Sequence, residues 1–234
     1  MAYLNGKEIL FSPQIIENGT GNNGYDQGYE DGKNSVVQFE KCLTGGTFRN
    51  LHILGKAEVE LNLDKFTSFQ YLTGVTEGEN TVLTHLTLNC PNFVTDALGM
   101  FNWSSDNNLR HITLNVDFQK CSRFNGAFHN LKALEIIDGL PLNLSSATGT
   151  SLNMFNGYHT KLKEIRFVAN SIPLNPNFAN CSLLSDESVQ NIIDGLMDLT
   201  DKTAQTITFH ADVGGRLTDE QKATITAKNW ILAY

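Results

Sequence analysis

Two histidines occupy matching sequence contexts. His85 opens His85-Leu-Thr-Leu-Asn89 and His111 opens His111-Ile-Thr-Leu-Asn115, pentapeptides identical at four of five positions. On neighbouring rungs of one sheet the two imidazoles would lie about 5 Å apart, close enough to share a metal ion. A structural zinc site needs two more ligands. The next residues expected in that column are Ala133 and Glu164, so exposed histidines on a polar sheet are the simpler reading and no metal is expected. Acidic pairs stand at Asp186-Glu187 and Asp219-Glu220, but both lie where helices should begin, and the helix dipole explains them there. A glycosidase needs two acids facing each other across a cleft, and nothing in the spacing places them so. The motifs G-x-x-x-x-G-K-S/T, H-E-x-x-H and G-x-S-x-G are absent, and no G-x-G-x-x-G follows a strand-like run. Gly45-Gly46-Thr47 and Gly214-Gly215 lack the lysine or the following helix that phosphate binding requires. The expectation is a binding or structural protein with no catalytic residue and no cofactor.

The elements that would position these residues repeat along the chain. An L-x-x-L-x-L pattern recurs as Leu83-Leu86-Leu88, Leu109-Ile112-Leu114, Leu131-Leu134-Ile136 and Leu162-Ile165-Phe167. Degenerate copies, Phe48-Leu51-Ile53 and Ala204-Ile207-Phe209, extend the series to six. A second landmark keeps step with it, since Phe101, Phe128, Phe155 and Phe178 follow at intervals of 27, 27 and 23 residues. A short strand with inward Leu or Ile buries its apolar side only when another rung stacks on it. A β-sandwich would also alternate Leu and Thr, but it does not require the Phe to return at a nearly constant distance. The fold class expected is therefore α/β, a leucine-rich repeat solenoid of short parallel strands over 47–184, with a C-terminal α/β cap over 185–234. If the leucines point inward, period 2 turns the intervening residues outward. One outward column is then His85, His111, Ala133, Glu164 and Thr206, and its neighbour is Thr87, Thr113, Glu135, Arg166 and Thr208. The candidate binding residues are His85, Thr87, His111, Thr113, Glu135, Glu164 and Arg166; a merely solvated face is the alternative.

The two ends differ from the middle. After Ser185 the residues Val189, Ile192, Ile193 and Leu196 follow helical spacing for about four turns. A strand over 206–210 and a helix opened by the capping-box arrangement Thr218-Asp-Glu-Gln221 come next. At the amino end Tyr3-Leu-Asn-Gly-Lys-Glu-Ile-Leu10 reads as a hairpin turning at Asn5-Gly6. Gly24, Tyr25, Gly28, Tyr29 and Gly32 then return every four residues, which would place them on one stripe of a helix open to close approach by another. A flexible Gly-rich linker is the alternative. Residues 1–46 are expected to form an attachment arm carrying this hairpin and helix, and the stripe is the candidate site of attachment and oligomerisation.

Composition narrows the partners. The chain is 41% hydrophobic and only 18% charged, with 25 acidic against 17 basic residues and a formal charge of −8. No Lys/Arg cluster could release counterions from a phosphate backbone, so nucleic acid is not an expected partner. The first thirteen residues lack a basic leader and apolar run, and no run of about 18 apolar residues occurs, so neither export nor membrane insertion is expected. Cys42, Cys90, Cys121 and Cys181 lie far apart with no CxxC pair and read as buried reduced thiols.

The unit Ala127-Phe-His-Asn-Leu131, with Phe178-Ala-Asn-Cys-Ser-Leu183, resembles the irregular leucine-rich repeats of the BspA-like type. The chain departs from that family in uneven loops such as 138–150. Residues 184–234, above all Leu217-Thr-Asp-Glu-Gln-Lys-Ala223 leading to Lys228-Asn-Trp230, resemble the terminal cap of leucine-rich repeat proteins encoded by phages and prophages of Gram-positive gut bacteria. The segment Gly24-Tyr-Asp-Gln-Gly28-Tyr-Glu-Asp-Gly32 resembles the leader of phage tail and baseplate proteins. These resemblances imply a virion appendage protein of tail, baseplate or fibre. It would oligomerise and join other virion proteins through its amino end, and present its repeats to a host-surface glycan or protein. A purely architectural virion subunit and a bacterial cell-surface adhesin are the alternatives.

Overall fold

The computed structural model describes residues 57–63, 66–74, 82–102, 108–149, 152–155 and 161–234, together with the backbone of four strands nearer the amino end. Those four are β1 (Ala2–Leu4), β2 (Lys7–Ile9), β3 (Val37–Leu43) and β4 (Thr47–Ile53). After them come β5 (Glu58–Leu63), β6 (Thr73–Gly74), β7 (His85–Phe93), β8 (Phe101–Asn102), β9 (His111–Asp117), β10 (Ile136–Gly139) and β11 (Asn177–Phe178). The chain closes with α1 (Asp186–Gly195), β12 (Gln205–Phe209), α2 (Ala211–Gly215), α3 (Asp219–Ala227) and β13 (Trp230–Ala233). The protein is α/β and its sheets are built mainly from parallel strands.

In the largest sheet β5, β7, β9 and β10 pair in parallel in chain order. Alternation drives this. Val59 and Leu61, Leu86 and Leu88, and Ile112 and Leu114 are buried, while the residues between them face outward. Parallel neighbours need a crossover of a dozen or more residues, and here the crossovers form ladders of their own. On that return side Phe69 N–H donates to the Asp96 carbonyl (2.8 Å), Ala97 N–H to Arg123 (2.9 Å) and Phe101 N–H to Ala127 (2.8 Å). β6 pairs with β8 in parallel in the same layer. The turns leading into it put Tyr71, Gly99 and Gly126 at φ of 51°, 56° and 64°, the left-handed region that glycine enters without a Cβ penalty.

Between the two layers the phenylalanines stack. Phe101, Phe128, Phe155, Phe178 and Phe209 are all buried. Successive ring centroids stand 5.8, 5.4, 5.4 and 6.0 Å apart, within the 4.5–7 Å favoured by aromatic pairs. Phe209 continues this series, so β12 belongs to the return side. It pairs with β11 and β13 in a separate parallel sheet. The expectation that Ala204-Ile207-Phe209 is a further rung of the histidine strands is corrected: Ile207 and Phe209 are buried as expected, but Thr206 and Thr208 lie in another sheet.

The third rung is shifted as well. Ile136 pairs with His111 and Ile137 with Ile112, so the inward residues are Leu134 and Ile137 in place of the expected Leu134 and Ile136. Leu131 is still buried, one turn earlier. The first rung differs too. Phe48-Leu51-Ile53 falls on β4, which pairs antiparallel with β3, and the first parallel rung is β5.

At one end of the large sheet the chain adds two antiparallel strands. β1 and β2 form the expected hairpin, Leu4 opposite Lys7, and β1 adds antiparallel to β5. The boundary drawn after residue 46 falls between β3 and β4, where Leu43 pairs with Thr47. The Gly24, Tyr25, Gly28, Tyr29 and Gly32 stripe lies outside the described residues.

At the other edge α1 takes the place of a strand. The Ser188 hydroxyl accepts from Ile165 N–H (3.1 Å) and the Asn191 side-chain carbonyl from Phe167 N–H (2.6 Å). An open edge would leave those donors as a template for another chain. Ser185 caps α1 by accepting from Ser188 N–H (3.1 Å), and Val189, Ile192 and Ile193 bury its inner side. With ten residues the helix has about three turns, one fewer than expected, because the chain turns extended at Leu196 and bridges to Ile172. Lys228 Nζ closes its last turn, donating to the carbonyls of Ile193 (3.1 Å), Asp194 (3.0 Å) and Leu196 (2.8 Å). The expected capping box at Thr218 and Gln221 is formed in α3.

Candidate functional site

The outward face of β5, β7, β9 and β10 is polar and in register. One column runs Glu58, His85, His111, Ile136 and Glu164, and the next runs Glu60, Thr87, Thr113 and Asp138. A third runs Asn62, Asn89 and Asn115. Of the expected candidates, His85, Thr87, His111 and Thr113 are adjacent as the repeat implied, and Glu164 follows Ile136 in its column. Arg166 is exposed and donates to the Gly139 carbonyl (3.2 Å).

Two expected positions are corrected. The three-residue shift of the third rung replaces Ala133 by Ile136 and Glu135 by Asp138. Glu135 precedes β10, with its N–H on the Arg110 carbonyl (2.8 Å). Its carboxylate takes Lys163 Nζ at 2.8 Å, and Arg110 stands 3.9 Å away. The Lys163 hydrogen bond and charge hold that half-buried carboxyl below the usual range.

Sequence reasoning passed over Asp138, Glu58, Glu60 and the asparagines. The asparagine signal was present in the repeated pentapeptides, and Glu58-Val-Glu-Leu-Asn62 carries the same frame without the histidine. Asp138 carried no such signal, because only the pairing of Ile136 with His111 shows which residue of the third rung faces out.

The centre of the face is the histidine pair. The two rings are stacked, centroids 4.1 Å apart and planes within 2°. Equal registers on adjacent strands bring them to this spacing. His85 Nε2 lies 3.0 Å from Thr113 Oγ1 and 3.4 Å from Thr87 Oγ1. His111 Nε2 lies 2.8 Å from Asp138 Oδ2 and 3.4 Å from Thr113 Oγ1. A carboxylate only accepts, so the His111 nitrogen facing Asp138 carries the proton. Burial and then the neighbouring His111 hold His85 below the usual histidine value, against the pull of Glu58 and Asp138. Burial works against the charge on Asp138, but hydrogen bonds from Thr113 and His111 together with the imidazoles outweigh it, and its carboxyl stays below the usual range.

This geometry limits the chemistry. Imidazole lone pairs lie in the ring plane, so parallel stacked rings direct them side by side and not to one point, and the pair cannot share an ion. Among the described residues no group of three or more His, Cys, Asp and Glu is placed to hold a metal. Asp138 and Thr113 both meet the same nitrogen of His111, whereas a nucleophile relay needs the hydroxyl and the carboxylate on opposite ring nitrogens. What the face offers is a dense set of donors and acceptors. Asn115 Nδ2 donates to Asn89 Oδ1 (2.7 Å), and Asn89 Nδ2 to Asn62 Oδ1 (2.8 Å) and Glu60 Oε1 (2.6 Å), so these side chains are held in place before any ligand arrives.

Comparison of the chain with protein-family models, with curated proteins and with solved structures finds no match. The functional reading therefore rests on the residues and their arrangement. Among the described residues no helix is long and apolar enough to cross a membrane. Cys90, Cys121 and Cys181 are buried, and burial pushes the thiols of Cys121 and Cys181 up to about 12, outside the range of reactive cysteines.

Proposed function

We propose that the chain is a leucine-rich repeat solenoid serving as a virion appendage protein, and that its polar strand face recognises a host-surface glycan or protein. The observation that carries the recognition role is the set of polar columns held in register by their own hydrogen bonds. Side chains already ordered lose less entropy on binding, and spacing near 5 Å along the columns suits an extended sugar chain or peptide. The acid-rich face, with Glu58, Glu60, Asp138 and Glu164 against Arg166, disfavours polyanions. The virion assignment rests on the resemblance of the carboxyl-terminal segment and of the Gly/Tyr segment to phage proteins. In this reading the amino-terminal segment attaches the protein to other virion proteins, where it oligomerises, and the repeats face outward without catalysis.

The test is binding of purified protein to intact Gram-positive gut bacteria and to a glycan array, with Thr87, Thr113, Asp138, Glu164 and Arg166 replaced singly by Ala. At least one replacement is expected to weaken binding about tenfold, the effect of one lost hydrogen bond to a charged group. Replacing Arg123 on the return side, where it pairs with Asp96, should leave binding unchanged. Binding to purified virion parts and to no cell would replace recognition by an architectural role. Loss of binding only on return-side replacement would move the recognition surface to that side.

A further inference from the structure

We infer that the stacked His85–His111 pair is a proton-operated switch on the strand face, closed when the pair holds at most one proton and opened by the second, so that the face releases its ligand in acid. The regulated binding rests on the function proposed above; the switch itself does not. The geometry carries it. Two rings 4.1 Å apart and parallel make a stable contact when neutral or singly charged. With both protonated, two like charges sit on neighbouring rungs at a distance where repulsion is strong unless water enters between them.

Thr113 Oγ1 sits between the rings, 3.0 Å from His85 Nε2 and 3.4 Å from His111 Nε2, and its hydroxyl donates to Asp138, so parting of the rings would displace a group that the face offers to a ligand. The charged groups around the pair decide how many protons it tolerates. From β5 these are Glu58, beside His85 in register, and Glu60 in the next column. From β10 it is Asp138, bonded to His111, with Glu164 and Arg166 one rung further. Arg110 precedes His111 on its own strand, with Glu135 beside it at 3.9 Å. Asp138 contacts one ring only, so it can neutralise the first proton but not the second. His85 bears the cost of that second proton: burial and His111 hold it below the usual histidine value despite Glu58 and Asp138. The unfolded chain therefore takes up the His85 proton first. Stability falls as pH drops from about 6.5 toward the lower folded value.

The experiment is an NMR titration of the histidine ring protons of the full chain from pH 8 to pH 4.5, with no ligand present. His85 is expected to titrate below the usual histidine value, with the Thr113 methyl shift following that step. In a His111→Asn variant His85 should titrate in a single step at higher pH. A His85 midpoint at or above the usual histidine value in the wild-type protein, or one unmoved by His111→Asn, overturns the switch. Binding of the wild-type protein to the same intact cells at pH 7.5 and pH 5 then reads the regulation. Coupled titration with cell binding that falls at least tenfold in acid supports it, and equal binding at both pH values overturns it. If the pair titrates as expected but no cells bind at any pH, the host-recognition reading fails and the switch stands.

Discussion

Replacing Phe128 by Ala tests whether the core is a one-dimensional stack. Phe128 is 1% exposed, and its ring meets Phe101 at 5.8 Å and Phe155 at 5.4 Å. Truncating a buried Phe to Ala costs about 3–5 kcal/mol in transfer and cavity terms. The two ring contacts place Phe128 in the upper half of that range, so about 4 kcal/mol is expected. For a chain of this length each kcal/mol shifts Tm by roughly 2–4 °C, so the midpoint should fall by about 8–16 °C. Urea and thermal unfolding followed by circular dichroism measure the two, with Phe93→Ala as the control: Phe93 is 39% exposed, and Lys120 Nζ stands 4.0 Å from its ring centre. That control should lose about 1 kcal/mol or less. Double-mutant cycles sharpen the test. Neighbours Phe128 and Phe155 should couple by about 0.5–1.5 kcal/mol, whereas Phe101 and Phe209, with three rings between them, should be additive within about 0.5 kcal/mol. A loss below about 2 kcal/mol for Phe128→Ala, or comparable coupling between the distant pair, would refute the stacked-ring account.

Two further outcomes follow from local geometry. Gly139 has φ 92°, and an added Cβ would stand 2.5 Å from the Leu114 carbonyl oxygen, backbone that cannot move aside. Gly139→Ala should therefore cost at least about 2 kcal/mol in urea unfolding, while Gly149→Ala, at φ 117° with nothing within 4 Å, should cost only the backbone strain of about 1 kcal/mol; equal losses would remove close packing as the reason for Gly139. Native protein treated with iodoacetamide at pH 8 should leave Cys121 and Cys181 unmodified, as judged by peptide mass mapping. Both should react in urea, and rapid native alkylation of either would contradict their burial with thiols pushed up to about 12.

Much of the local structure was legible because it depends on neighbours in sequence. Ser185 and Thr218 cap helices through side-chain oxygens reaching N–H groups three residues on. The same holds for the hairpin of β1 and β2, since so short a span between Leu4 and Lys7 determines its own pairing. The histidine and threonine columns were legible because two copies of one pentapeptide impose their own register. Where copies diverge, the reading slipped. Leu131-Leu134-Ile136 and Leu134-Ile137 offer nearly equivalent apolar spacings, and a slip by an odd number of residues, here three, turns every side chain to the other face.

The sequence by itself determined that Leu and Phe must be buried on repeating rungs, that the outward residues would be polar, and where the terminal helices begin, since each follows from periodicity or short-range hydrogen bonding. Only the tertiary structure decided which rungs share a sheet. It moved Ile207-Phe209 to the return side, replaced Glu135 by Asp138 beside His111, and set α1 against the edge donors of Ile165 and Phe167. The physical reason is that these choices depend on pairing between residues more than twenty apart, where backbone hydrogen bonds and ring contacts select one register among several that the apolar pattern leaves nearly equal.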